Sequence, residues 1–206
     1  MFQSISWASL IVVFLGIVIH LCAGIGAGQA KRKAKAKRHK LWCCAWRDDL
    51  DTLGKLKRLA GVVAVVSLLI MAVTAFSGRL AANEMMTGYT LLIHVGAAPV
   101  FLLSSIFILI TWSYQCRLTE AEWDELTKRF RFQPVKTKDS GLLIKLTFWG
   151  AMFLTVPACL SIVAIMFTIF GSHSQELLVG VHQYTGLGIV LFTIVHVYLL
   201  LRRQGK

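Results

Sequence analysis

The sequence predicts an all-α membrane protein: a bundle of five transmembrane helices, N-terminus outside and C-terminus in the cytoplasm. Three observations carry this. The 206 residues are 56% hydrophobic, with a mean hydropathy of +0.67, far more apolar than a soluble domain of this length. Five runs, at 5–27, 59–77, 88–112, 142–170 and 179–201, are long and apolar enough to cross a bilayer. Basic residues gather between alternate runs: of 22 Lys and Arg, 11 lie in 28–58, six in 113–141 and three in the tail. Those three regions share one side in a five-span topology, and the positive-inside rule puts that side in the cytoplasm. The connections are too short to bury cores of their own, so 1–206 reads as one integral membrane domain.

The first run opens MFQSISW, which lacks a basic n-region, and its apolar stretch exceeds a signal-peptide core. It reads as a retained span. The following KRKAKAKRHK marks topology and touches anionic lipid; beside a membrane span it is not a nucleic-acid site. Arg79, the one external Lys or Arg, directly follows the second run. The third starts near His94. The 113–141 connection holds TEAEWDELTKRFRF, an amphipathic pattern suited either to docking a cytoplasmic partner or to lying flat in the headgroup layer. The fourth run has Lys145 near its start and Pro157 near its middle, so it tilts or kinks. The fifth reads VGVHQYTGLGIVLFTIVHVYLL.

Runs two and three resemble runs four and five in layout. Lys57 precedes His94 by 37 residues, and Lys145 precedes His182 by 37. Each unit is a basic start, an outward span, a turn and an inward span with histidine near its outer end, as in a duplicated hairpin. The copies diverge fourteen residues further on, where one has Ile108 and the other His196.

His182 and His196 lie about 21 Å apart along one helix and only about 40° apart around it. Four histidines fall within spans, and depth sorts them. His94 and His182 lie toward the outside; His20 and His196 lie toward the cytoplasm. Each pair is placed to clamp the iron of one b-type haem, with both axial positions filled by imidazole for electron transfer. Gly186, one turn from His182, removes a side chain where a porphyrin approaches closely. Arg79 is the cationic partner for a propionate of the outer haem. His39 and His173 fall in loops, with His39 in reserve for His20. The competing readings are histidines that join helices in a haem-free anchor or assembly subunit, and a proton relay in a small transporter. The cysteines, Cys22, Cys43, Cys44, Cys116 and Cys159, form no CxxC or CxxCH and read as ordinary thiols.

The stretch from Ser140 to Tyr198, with GLLIKLTFWGAMF and HQYTGLGIVLFTIVHVYLL, resembles the C-terminal half of the di-haem cytochrome b subunits of respiratory formate dehydrogenases and nickel–iron hydrogenases. In that family a helix carries two haem ligands with the spacing of His182 and His196, and their partners come from two other helices, which suits His94 and His20. Family members have four core helices, one fewer than here. The resemblance implies a bacterial inner-membrane subunit passing electrons between quinone and a partner redox subunit with iron–sulfur clusters or haem. Lys145 and Tyr184 are candidate lining residues for quinone. No nucleophile triad, hydrolase metal motif or phosphate loop is present.

Overall fold

The computed structural model describes residues 1–28, 51–81, 84, 86–133, 141–167 and 171–204. His39, Cys43, Cys44 and the basic run 31–40 lie outside them. Among the described residues the chain is helical, with no strand. Five helices are long and apolar enough to cross a membrane: α1 (Phe2–Gly28), α2 (Thr52–Ala81), α3 (Gly88–Trp112), α5 (Leu142–Met166) and α6 (Ser172–Gln204). The sixth, α4 (Glu120–Phe130), is the amphipathic helix expected in the 113–141 connection.

The ends of α3 coincide with the sequence expectation. Those of α2 and α6 do not, because each helix runs on past its apolar run through polar turns. Arg79 consequently sits in the last turn of α2 rather than after it, and His173 lies in the first turn of α6 rather than in a loop. Pro157 falls inside α5 as expected, and Pro99 falls inside α3. Each removes one helical N–H and crowds the carbonyl four residues back, which bends a helix.

The chain divides into two compact units, Met1–Thr111 and Trp112–Lys206, and each carries one histidine hairpin of the repeat. In the first unit α1 is tied to the end of α2 by Gln3, whose Nε2 donates to the Leu80 carbonyl at 2.9 Å. Ser6, Ser67, Ser104 and Ser105 are buried alongside Ala64, Leu68, Phe101 and Ile108. Small hydroxyl residues of this kind allow helices in lipid to approach closely.

In the second unit α5 and α6 run antiparallel. Ala158 meets His182, Leu154 meets Gly188, Gly150 meets Phe192 and Thr147 meets His196. Two glycines make this approach possible. A Cβ on Gly150 would sit 2.7 Å from the Phe192 ring, and one on Gly188 would sit 2.6 Å from Leu154 Cδ1. Leu142 and Phe148 on α5 and Leu187 and Ile189 on α6 are buried. Away from it the apolar side chains point outward: Phe153 is 69% exposed, the surface a bilayer would cover.

Helix α4 begins with a capping box. Thr119 Oγ1 accepts from the Glu122 N–H at 3.3 Å, and the Thr119 N–H donates to Glu122 Oε2 at 2.8 Å. It ends in a Schellman closure, with Gln133 N–H donating to the Lys128 carbonyl at 2.9 Å and Phe132 N–H to that of Arg129 at 3.1 Å. Phe132 adopts φ 53° there, the left-handed region, which costs an L side chain about 1 kcal/mol.

Candidate functional site

Three of the four histidines within spans are held by one recurring device. His94 Nδ1 on α3 lies 3.1 Å from the Met71 carbonyl oxygen and 3.1 Å from Thr74 Oγ1, both on α2. His196 Nδ1 on α6 lies 3.1 Å from the Ile144 carbonyl and 2.9 Å from Thr147 Oγ1, both on α5. His182 Nδ1 lies 2.9 Å from the Ala158 carbonyl. In every case a hydroxyl three residues after that carbonyl donates to the same oxygen: Thr74 to Met71 at 3.0 Å, Thr147 to Ile144 at 3.0 Å and Ser161 to Ala158 at 2.9 Å.

These contacts determine the tautomer. A carbonyl oxygen only accepts, so Nδ1 carries the proton in all three rings. Each threonine hydroxyl shares its single proton between two helical carbonyls, Thr74 between Ile70 at 2.8 Å and Met71 at 3.0 Å, and Thr147 between Leu143 at 2.9 Å and Ile144 at 3.0 Å. They therefore receive the imidazole N–H. In its neutral form such a ring has its lone pair on Nε2, the arrangement that orients a metal-ligating imidazole. Phe148 packs the His196 ring further, with centroids 6.3 Å apart and planes at 45°.

The other expected site residues fall as follows. Nothing lies within 4 Å of the place a Cβ on Gly186 would take. Its missing side chain does not serve helix packing among the described residues, unlike those of Gly150 and Gly188. His20 is exposed on α1. Arg79 lies at the end of α2 with its Nε buried. Ile108, in the place where the second copy has His196, is buried at 6% exposure. Tyr184 is 43% exposed. Among the described residues no three His, Cys, Asp or Glu side chains come together as a bare metal ion would require. Bis-imidazole haem needs no such cluster, since the porphyrin supplies four nitrogens. Cys22, Cys116 and Cys159 are unbridged. Burial pushes the Cys116 thiol up, against an opposing pull from Lys145.

Lys145 reaches the connection that precedes its own helix. Its Nζ donates to Glu122 Oε2 at 2.7 Å and to the Arg117 carbonyl at 2.9 Å, and the paired side chains are only 19% and 16% exposed. Burial alone would raise the Glu122 carboxyl. The Lys145 ammonium, with the N–H and hydroxyl of Thr119, outweighs it and holds the group below the usual carboxylate range. A depressed carboxylate stabilises the fold above its unfolded pKa, and that contribution is lost as pH falls through the folded value. Acidification below the ordinary carboxylate range is therefore expected to loosen α4. Faster amide exchange across 119–127 in acid, corrected for intrinsic rates, checks this. Glu122→Gln should show that loosening already at neutral pH.

The residues the sequence reading missed are Thr74, Thr147 and Ser161. A signal exists: Thr74 precedes His94 by 20 residues and Ser161 precedes His182 by 21. It becomes legible only once hairpin register is known. No protein-family model, curated protein or solved structure matches the chain.

Proposed function

We propose that the chain is a membrane electron-transfer subunit that binds two b-type haems through its intramembrane imidazoles. In this reading its N-terminus faces outward, its C-terminus lies in the cytoplasm, and its home is a bacterial inner membrane. It conducts electrons between a quinone pool and a partner redox subunit of a respiratory complex. One observation carries the reading: the Nδ1–H of His94, His182 and His196 is committed to a main-chain carbonyl, leaving Nε2 as the basic nitrogen. The open space beside Gly186 adds to it.

The residues fit the group, and their roles follow from their chemistry. Haem, when bound, supplies one-electron chemistry. By depth along the sequence, His182 and His94 would hold it at the outer level, and His196 and His20 at the inner level. Gly186 leaves room for the macrocycle. Arg79 meets an outer propionate with a guanidinium. The carbonyl bonds hold the rings against rotation, so little rearrangement accompanies electron transfer. The hydroxyls of Thr74 and Thr147 accept from Nδ1–H and make the ligating nitrogen more electron-rich. Thr147→Val should therefore raise the midpoint potential of the inner haem and leave the outer one unchanged, whereas Thr147→Ser restores the original value. A redox titration followed in the visible spectrum checks this.

A second reading draws on the same bonds. In a haem-free anchor, or a transporter with a histidine proton relay, the imidazoles serve chiefly to join helices or pass protons. A reduced-minus-oxidised spectrum of the purified protein separates the two. The electron-transfer reading expects a b-type α-band with about two haems per chain; purified protein without haem overturns it.

A further inference from the structure

The stretch between α3 and α5 is stapled back onto the start of a span. Trp149 Nε1 donates to the Cys116 carbonyl at 3.0 Å. Lys145 holds the Arg117 carbonyl and the Glu122 carboxylate. Trp149 is seven residues into α5, about 10 Å along its axis. The beginning of α4 is therefore held beside the first two turns of α5, a helix long and apolar enough to cross a membrane.

From that anchor α4 presents a face nothing in its own unit covers. Trp123 and Phe130, seven residues apart and so on one side of the helix, are 60% and 78% exposed. Phe132 stands at the Schellman position that normally takes glycine, in the left-handed region, with its side chain 97% exposed. An aromatic ring that occupies a disfavoured backbone position and touches almost nothing gains nothing from water. It gains from an apolar medium. Charge is sorted along the same element: Glu120, Glu122, Asp124 and Glu125 lie in its first half, and Lys128, Arg129 and Arg131 at its end, interleaved with the two phenylalanines; Lys128 pairs with Asp124, and Arg129 with Glu125 at 2.7 Å. Aromatic rings beside basic groups at hydrocarbon depth suit acyl chains below and lipid phosphates above.

The geometry points to α4 as an in-plane membrane anchor, its occupant being the anionic phospholipid surface. Trp123, Phe130 and Phe132 enter the headgroup–acyl boundary, while Arg131 lies over phosphates, joined by Lys128, whose pair with Asp124 is solvent-exposed and weak; Arg129 keeps its pair with Glu125. Depth favours lipid over a soluble partner, since a face held level with the first turns of α5 meets lipid first. The assignment does not depend on haem.

The test uses the full chain in nanodiscs, with a solvatochromic amino acid placed at position 132, where the exposed side chain constrains folding least. In discs of phosphatidylcholine and phosphatidylglycerol the probe should emit as in an apolar medium. Bromine near the headgroup end of the acyl chains should quench it several-fold more than bromine at the chain ends. Lys128→Gln with Arg131→Gln should move the emission toward that of water, as should exchange into purely zwitterionic discs. Wild-type amide exchange over 120–132 should slow in the anionic discs, which checks the helix without a probe. Water-like emission and no quenching in every lipid overturn the proposal. So does emission that becomes apolar only when a co-purified protein is added, which would make α4 a protein-docking face.

Discussion

His182→Ala is expected to abolish one of two haem components, removing about half of the b-type α-band, and His94→Ala is expected to abolish the same one. His196→Ala and His20→Ala should together identify the other. Under the proposed function the pairing is a strict requirement, because each iron would need two imidazoles and neither partner alone would yield the six-coordinate low-spin spectrum. Glutamine makes the sharper substitution. His182→Gln retains an N–H able to reach the Ala158 carbonyl, now bonded to Nδ1 at 2.9 Å, so it preserves a tie between α5 and α6. It offers no imidazole nitrogen to iron. If the histidines only join helices, glutamine restores whatever alanine disturbs, to within the roughly 0.6 kcal/mol typical of a single hydrogen bond in a membrane protein. If they ligate haem, glutamine fails as completely as alanine while the protein stays folded. Retention of both components in His20→Ala would remove His20 from the inner site and turn attention to His39.

Gly150→Leu is expected to give the largest loss of stability among substitutions away from the histidines. The Cβ alone would meet three atoms of the Phe192 ring, at 2.7, 2.9 and 2.9 Å, and the remaining carbons extend into the same space. Overpacking of this kind typically costs about 1–3 kcal/mol. The strain falls on the α5–α6 seam between Thr147 and Leu154, so His196 should be disturbed along with it. Thermal unfolding in detergent measures the loss. Phe192→Ala in the same chain should recover much of it by vacating the space, whereas Phe192→Ala alone should be mild, since that ring is 38% exposed. Gly188→Ala should be milder than Gly150→Leu, because its Cβ meets only the far end of Leu154, which can rotate away. Gly186→Ala should leave stability untouched, since nothing lies within 4 Å of the added carbon; any effect it has on the α-band would therefore report on space for a macrocycle.

The helices were legible because lipid imposes a coarse rule. A span must be apolar over its whole length, and α3 shows this with ends that coincide with its hydropathy. The polar turns that extend α2 and α6 carry no such signature, so Arg79 and His173 were placed outside helices that contain them. The amphipathic α4 was legible for a different reason: Thr119 and Glu122 spell a capping box, and Trp123, Leu126 and Phe130 recur at helical spacing. The hydroxyl–carbonyl cradles were not legible. Helices that are apolar all round show no preferred face, so the side of α5 that meets His196 cannot be read from its composition. Thr147 then looks like any other threonine in a membrane helix. The role of Lys145 was hidden likewise, because its partner Glu122 lies 23 residues away across a connection. Gly186 and Gly188 differ by two positions and look equivalent in the sequence, yet one faces open space and the other faces Leu154.

The cradles also bear on how such a chain is made. An imidazole N–H released bare into hydrocarbon is a burden on insertion, and the translocon delivers helices in sequence order. Here each ring finds its acceptor on the helix immediately before it among the spans: His94 on α2, and His182 and His196 on α5. The polar atoms of one hairpin can thus be satisfied as it leaves the channel, before the next has been synthesised. Each hairpin thereby carries into the bilayer the acceptors its own imidazoles need.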